Sequence, residues 1–424
     1  MCAPAESPTP AGTSRSGARA SPELGELLRR HGERYPETHR VSSVQRKVIR
    51  ALSECRTAAL GGHLEACDRC GHRRPVYHSC RNRHCPKCQS LAQADWLEAR
   101  RTDLLPVEYF HVVFTLPHEL CPLALYRPRV VCDLLFRAAT ATLATFARDP
   151  RHFTDNTSGK KSGKTPNKTG GTLGITAILH TWAQNLSLHP HLHCVVTGGG
   201  LSLDQKSFVT PRHKGFLFPV RALSKVFRAK ILEGLRRAFE AGKLGDDTSV
   251  PMLCDTLRRR DWVVYAKSPF AGPESVLGYL GAYTHRIAIS NTRIRRIQHG
   301  RVTFRVRDSA DANKQKLMKL DEREFIRRFL LHVLPKGFVR IRHYGLLANR
   351  NRREKIARCR DLLAAPKPEE PASQTRREKL LELTGFDIGQ CPACREGRMG
   401  VVEHIDPHRR LLGHPGRVEI KDSS

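Results

Sequence analysis

Residues 188–196 read Leu188-His-Pro-His-Leu-His-Cys-Val-Val196 and run on to Gly198-Gly199-Gly200. Side chains alternate along a strand, so His189, His191 and His193 share one face. Two imidazoles two residues apart, backed by the apolar Leu192, Val195 and Val196, make a rigid bidentate platform for a metal. Satisfied core histidines give the same pattern, so the neighbouring sequence has to decide. Gly174–Leu179, Tyr109–Phe114 and Trp262–Ala266 also read as strands. A hairpin is expected from Arg286–Ile289 with Val302–Val306. Helical spacing covers Ser42–Cys55, Ala94–Leu105 and Pro128–Phe146. A ladder of Leu223, Phe227, Ile231, Leu235 and Phe239 at i, i+4 gives another helix, which Gly242 can close. Strands interleaved with helices indicate an α+β or α/β core of about 250 residues.

Downstream, Tyr279-Leu-Gly-Ala-Tyr283 sets two phenols at i, i+4, on one helix face and ~6 Å apart in rise. Two packed core tyrosines would share that spacing. Gly278 and Gly281 weaken this helix, which suggests a close approach to its backbone. Taken with the histidines, the tyrosines describe a nucleophile beside an electrophilic metal. The metal would polarise a phosphate, and a tyrosine would attack it.

Charge supplies the substrate class. The 424 residues carry 73 Lys+Arg against 41 Asp+Glu, a net charge of +32. A protein this basic meets a polyanion, nucleic acid first, which argues against an ordinary small-metabolite enzyme. Inspection of the sequence finds no run near the ~18–20 apolar residues of a membrane helix. Met1–Ala20 lacks the apolar region of a signal peptide. Fourteen cysteines in such a chain read as metal ligands and buried thiols in a reducing cytoplasm. Three Cys-x-x-Cys pairs occur, Cys67/Cys70, Cys85/Cys88 and Cys391/Cys394, where chance gives about 0.5.

The segment 55–88 is a metal-folded module in this reading. Cys67, Cys70, Cys85 and Cys88 are expected to share one Zn²⁺, and Cys55, His63, Cys80 and His84 to form a possible second site. Arg81, Arg83 and Lys87 lie between the ligands, placed to meet DNA phosphates. Cys391 and Cys394 could take a further zinc with His404, His408 or His414. Asp308 could hold a metal or an arginine.

Several stretches resemble the HUH-type tyrosine transposases of rolling-circle insertion sequences, insertion-sequence family 91. They are LGGHLEACDRCG…HSCRNRHCPKCQ, FHVVFTLPHEL, LHTWAQNLSLHPHLHCVVTGGG, GYLGAYTHRIAISNTRI and RIRHYGLLANR, in the family's order across about residues 30–360. The resemblance implies an HUH nuclease fold, an antiparallel sheet with flanking helices, plus a small N-terminal zinc-binding domain. It implies His191 and His193 as ligands of a catalytic Mg²⁺ or Mn²⁺, with Gln184 or His180 as the third. Tyr279 and Tyr283 take the nucleophile positions. The implied reaction cleaves and rejoins single-stranded DNA at element ends and in target DNA through a 5′-phosphotyrosine. A bacterial cytoplasmic, nucleoid-associated protein with no membrane partner follows. The expected organisation is a disordered tail 1–21, a zinc-binding DNA-binding domain 22–100, a catalytic domain 101–363, a linker 364–378 and a basic tail 379–424. Two other readings stand beside it. One is a plasmid replication initiator or relaxase with the same chemistry. The other is a non-catalytic zinc-dependent DNA-binding regulator, whose histidines and tyrosines merely pack.

Overall fold

The computed structural model describes residues 22–407 apart from 33, 156–168, 246–248, 268–269, 271–272, 286, 309–310, 312–313 and 367–373. The tail 1–21 and most of the basic loop 154–171 therefore lie outside the described residues. The chain divides into two compact units. One contains Gln89–Ser373; the other joins Glu23–Cys88 to Gln374–Ser424. The segment expected to be a separate C-terminal tail thus belongs with the N-terminal module.

The larger unit is built on a long hairpin, Gly171–Trp182 with Leu188–Ser202. Tyr109–Thr115 pairs with the outer side of Leu188–Ser202, and Val264–Lys267 follows it. Ile341–Gly345 closes the other edge against Gly171–Trp182. Every pairing is antiparallel, as the α+β expectation requires. On one face Leu192, Cys194 and Val196 join Phe110, Val112 and Phe114 under the helices Pro128–Arg148 and Val220–Glu240. The first of these helices is long and apolar enough to cross a membrane by length and composition. Its Leu135, Phe136, Ala139 and Leu143 are fully buried in the sheet's core, which accounts for that composition.

The opposite face of the sheet carries the odd-numbered side chains of Leu188–Ser202. There Val195 packs with Tyr109 and Ile178 against Val276 and Leu280 of the helix Pro273–Thr284. Gly281 lets that helix approach a second one, Gln89–Arg101. A Cβ at Gly281 would lie 2.9 Å from Gln93 Nε2 and 3.0 Å from Leu97 Cδ1. Gly278 has open space beside it, so only one of the two glycines serves close approach.

The hairpin expected over Arg286–Ile289 is displaced. Ile287, Ala288 and Ile289 are buried but not in a strand, with Ala288 at φ +59°. The strands are instead Ile294–Gln298, Arg301–Asp308 and Lys314–Asp321. His299 and Gly300, both at positive φ, make the tight turn between the first two, as a two-residue hairpin demands. Asp308 accepts from Lys316 Nζ at 2.9 Å.

The smaller unit contains the hairpin Gly62–Cys67 with Arg73–Tyr77, and Met399–Ile405 adds to its free edge. The helix Ser43–Glu54 leads in, started by a full capping box between Ser42 and Gln45.

Candidate metal centre and nucleophile

Three imidazoles converge on the odd-numbered face of the sheet, the one covered by the helix Pro273–Thr284. His180, His191 and His193 bring ring nitrogens within 4.8 Å of one another. Antiparallel register explains it, because His180 stands directly opposite His191 and so shares its face. His191 Nε2 and His193 Nε2 are 3.1 Å apart. His191 Nδ1 donates to the His189 carbonyl at 2.7 Å, which leaves its Nε2 lone pair for a ligand. Gln184, the other expectation, is exposed in the hairpin turn, two residues past the end of the strand that carries His180. Of the two third-ligand expectations, the structure gathers His180.

A fourth histidine and the first tyrosine complete the cluster. His111 stands on the adjoining strand, whose register places it diagonal to His193. The Tyr279 hydroxyl lies 2.5 Å from His111 Nε2 and 3.1 Å from His193 Nδ1. His111 Nε2 and His193 Nδ1 are 3.0 Å apart. With His193 Nε2 kept for a cation, its Nδ1–H can donate to the tyrosine oxygen while the phenol O–H donates to His111. Burial pushes His191 down to about 4 and His111 to about 3, and His193 well below its ordinary value. Lys267, in register with His111, adds to the depression at His111 and His193. All three rings are therefore neutral at pH 7, the form that offers lone pairs. Tyr283 lies one helical turn beyond Tyr279, and its side chain is outside the described residues.

A supporting histidine pins the turn of the long hairpin. His332 Nε2 donates to the Leu186 carbonyl at 3.1 Å, and its Nδ1 lies 3.2 Å from the Thr181 hydroxyl. Burial holds His332, His285 and His343 at about 4. With folded values below the ordinary 6.5, the unfolded chain binds more protons between those limits. Stability should therefore fall as pH drops from about 6.5 toward 4. Thermal melts of the metal-free protein at pH 7.5 and 5 check this, and equal midpoints would contradict it.

The cysteines of the smaller unit form two foursomes, Cys55-Cys80-Cys85-Cys88 and Cys67-Cys70-Cys391-Cys394. Cys67 and Cys70 thus do not share a site with Cys85 and Cys88. The strand Arg73–Tyr77, roughly 16 Å long, separates the hairpin tip bearing Cys67 and Cys70 from its open end. At that open end Cys55 and Cys80 join Cys85 and Cys88; Cys55 Sγ is 3.5 Å from Cys88 Sγ and 3.6 Å from Cys85 Sγ. His63 and His84, the other expected ligands, are not in the group. His63 Nε2 lies 3.3 Å from Glu65, and His84 Nδ1 lies 3.0 Å from the Asn82 side chain. Hydrogen bonding with Cys55 holds the Cys88 thiol far down and pushes Cys80 and Cys85 up. Four cysteine sulfurs this close fit one tetrahedral cation, which would hold them all as thiolates. Cys391 and Cys394 meet cysteines rather than His404, and His408 and His414 lie outside the described residues.

Residues 174–355 match a family model described as "Putative transposase", and residues 27–116 one described as "Transposase zinc-binding domain". The "Putative transposase y4qJ" of Sinorhizobium fredii is 50% identical over 402 residues, 92% of this chain and 97% of that protein. The chain belongs to the transposases of insertion-sequence family 91. A more distant relative of the transposase, 27% identical over 325 residues, is the transposase for insertion sequence element IS801 of Pseudomonas savastanoi pv. phaseolicola. That alignment covers 72% of this chain and 71% of the relative. No solved structure matches it.

The transposase carries structural zinc in its zinc-binding domain, and the foursome Cys55-Cys80-Cys85-Cys88 falls wholly within the matched segment. Of the basic residues between these cysteines, Arg81 projects into solvent and Arg83 is half-buried. Lys87 is already engaged by Glu23 at 2.5 Å. Sequence reading missed His111 and Lys267. The even-numbered apolar series Phe110, Val112, Phe114 was a signal for His111, since it turns that residue to the opposite face. Which strand lay beside it was not.

Proposed function

We propose that this transposase cleaves and rejoins single-stranded DNA through Tyr279, with the second transfer assigned to Tyr283. The observation that carries the reading is the 2.5 Å contact between the Tyr279 hydroxyl and His111, beside the three-imidazole group. Convergent nitrogen lone pairs on buried and half-buried imidazoles fit a divalent cation, and among the described residues the group contains no carboxylate. A cation held by His180, His191 and His193 supplies Lewis-acid stabilisation of charge developing on the scissile phosphate. Tyr279 attacks phosphorus, the phenol proton passes to His111 Nε2, and the 3′-oxygen leaves and takes a proton from water. The products are a 5′-phosphotyrosine and a free 3′-OH. Because the phosphoester bond is retained on the protein, a 3′-OH can later attack it and release the tyrosine. Lys267 adds positive charge for the incoming phosphate, and Arg81 and Arg83 offer contacts to the backbone of DNA on the zinc-binding domain.

Incubation with single-stranded element-end DNA should give a protein–DNA adduct that survives denaturation. Three imidazoles form a softer donor set than Mg²⁺ favours, so Mn²⁺ should support the reaction better than Mg²⁺ at equal concentration. Cleavage that releases only hydrolysed ends, or that needs no divalent cation, would count against the reading.

A further inference from the structure

The second cysteine foursome draws its ligands from opposite ends of the sequence. Cys67 and Cys394 are 327 residues apart, yet their sulfurs are 3.7 Å apart; Cys70 and Cys391, separated by 321 residues, are at 3.6 Å. All four sulfurs lie within 4.8 Å of one another. Four thiolates at Zn–S ~2.3 Å around one tetrahedral Zn²⁺ stand about 3.8 Å apart, which matches this cluster. We propose that it is a second zinc site, and that the ion clasps the C-terminal segment into the N-terminal zinc-binding domain.

The backbone around both pairs is shaped for the purpose. The Arg69 and Cys70 amides point at Cys67 Sγ at 3.4 and 3.5 Å, and the Gly397 amide points at Cys394 Sγ at 3.3 Å. Such N–H donors favour thiolate. Gly397 closes directly over the other pair, since a Cβ there would sit 2.4 Å from Cys67 Sγ. The two turns are stitched by reciprocal bonds, Asp68 N–H to the Arg398 carbonyl at 3.0 Å and Arg398 N–H to the Asp68 carboxylate at 2.7 Å.

Apolar burial alone gives the C-terminal segment little reason to stay. On its strand Met399–Ile405, Val401 and Val402 are more than half exposed. On its helix Arg376–Thr384, Leu381 and Leu383 are nearly so. Ordering these residues costs chain entropy that so little buried surface does not offset. Coordination supplies what burial lacks, as in other small metal-folded domains. The ligand set is complete only once Cys391 and Cys394 have been made, so a truncated chain cannot load the second ion.

Zinc counted on the full-length reduced protein tests this without DNA or activity, so its failure is separate from failure of the proposed chemistry. Two ions per chain are expected. Cys391→Ser/Cys394→Ser should retain one, and so should Cys85→Ser/Cys88→Ser. One ion in the unaltered chain, or a count unchanged by the first double substitution, overturns the proposal. A second measurement covers variants that misfold. A specific protease site placed between residues 366 and 374 is cut in the zinc-loaded protein. The C-terminal fragment should co-elute with the remainder and separate when zinc is chelated. A fragment that dissociates with zinc still bound, or stays after all zinc is removed, overturns the clasp.

Discussion

Tyr279→Phe should lower formation of the covalent protein–DNA adduct by about 10⁴-fold or more, the scale seen when a nucleophile is deleted. The change removes one hydroxyl, whose hydrogen bonds contribute only about 1 kcal/mol net to stability, so the fold should survive. The hydroxyl lies 2.5 Å from His111 Nε2, and no conservative replacement restores a nucleophile there. His111→Ala keeps the phenol but removes the group that takes its proton, and about 10²-fold is expected. Adduct yield on denaturing gels, beside binding of uncleaved single-stranded DNA, separates the two effects. An undiminished adduct with Phe at 279 would move the first attack to Tyr283 or elsewhere.

Replacing the imidazoles should produce a different defect. His191→Ala or His193→Ala removes one of the three lone pairs fixed by the sheet, and metal-dependent cleavage should drop by about 10³-fold or more. DNA binding should persist, because lysine and arginine contacts to phosphates carry most of that affinity. A Gln184→Ala variant should cleave normally, since that residue sits exposed in the hairpin turn, whereas His180→Ala should resemble the other two. Cleavage rates across a Mn²⁺ titration check all four. Full activity in His180→Ala would leave the third ligand unassigned.

How far these residues could be read from sequence depended on whether the cause was local. The face shared by His191 and His193 follows from strand alternation, and the placing of Tyr279 on a helix follows from spacing. Helix Val220–Glu240 announced itself through its apolar ladder. Cross-strand register is set by tertiary pairing, so His111 could not be joined to His193, nor His180 preferred over Gln184, from spacing alone. The cysteine pairs mislead for a related reason. Cys67/Cys70 and Cys85/Cys88 are close in sequence, but a hairpin strand holds them apart and brings Cys391/Cys394 from the far end. Buried coil at Ile287–Ile289 mimics a strand because apolar content reports burial, not backbone conformation.

The most direct measurement is the chemical identity of the protein–DNA bond. The transposase is incubated with single-stranded element-end DNA and Mn²⁺, digested with protease, and the DNA-linked peptide is sequenced by mass spectrometry. The account predicts a peptide containing Tyr279 or Tyr283, joined through the phenol oxygen to a 5′-phosphate, with a free 3′-OH on the released strand. A linkage to another residue, attachment through a 3′-phosphate, or cleaved DNA with no linked peptide would contradict it.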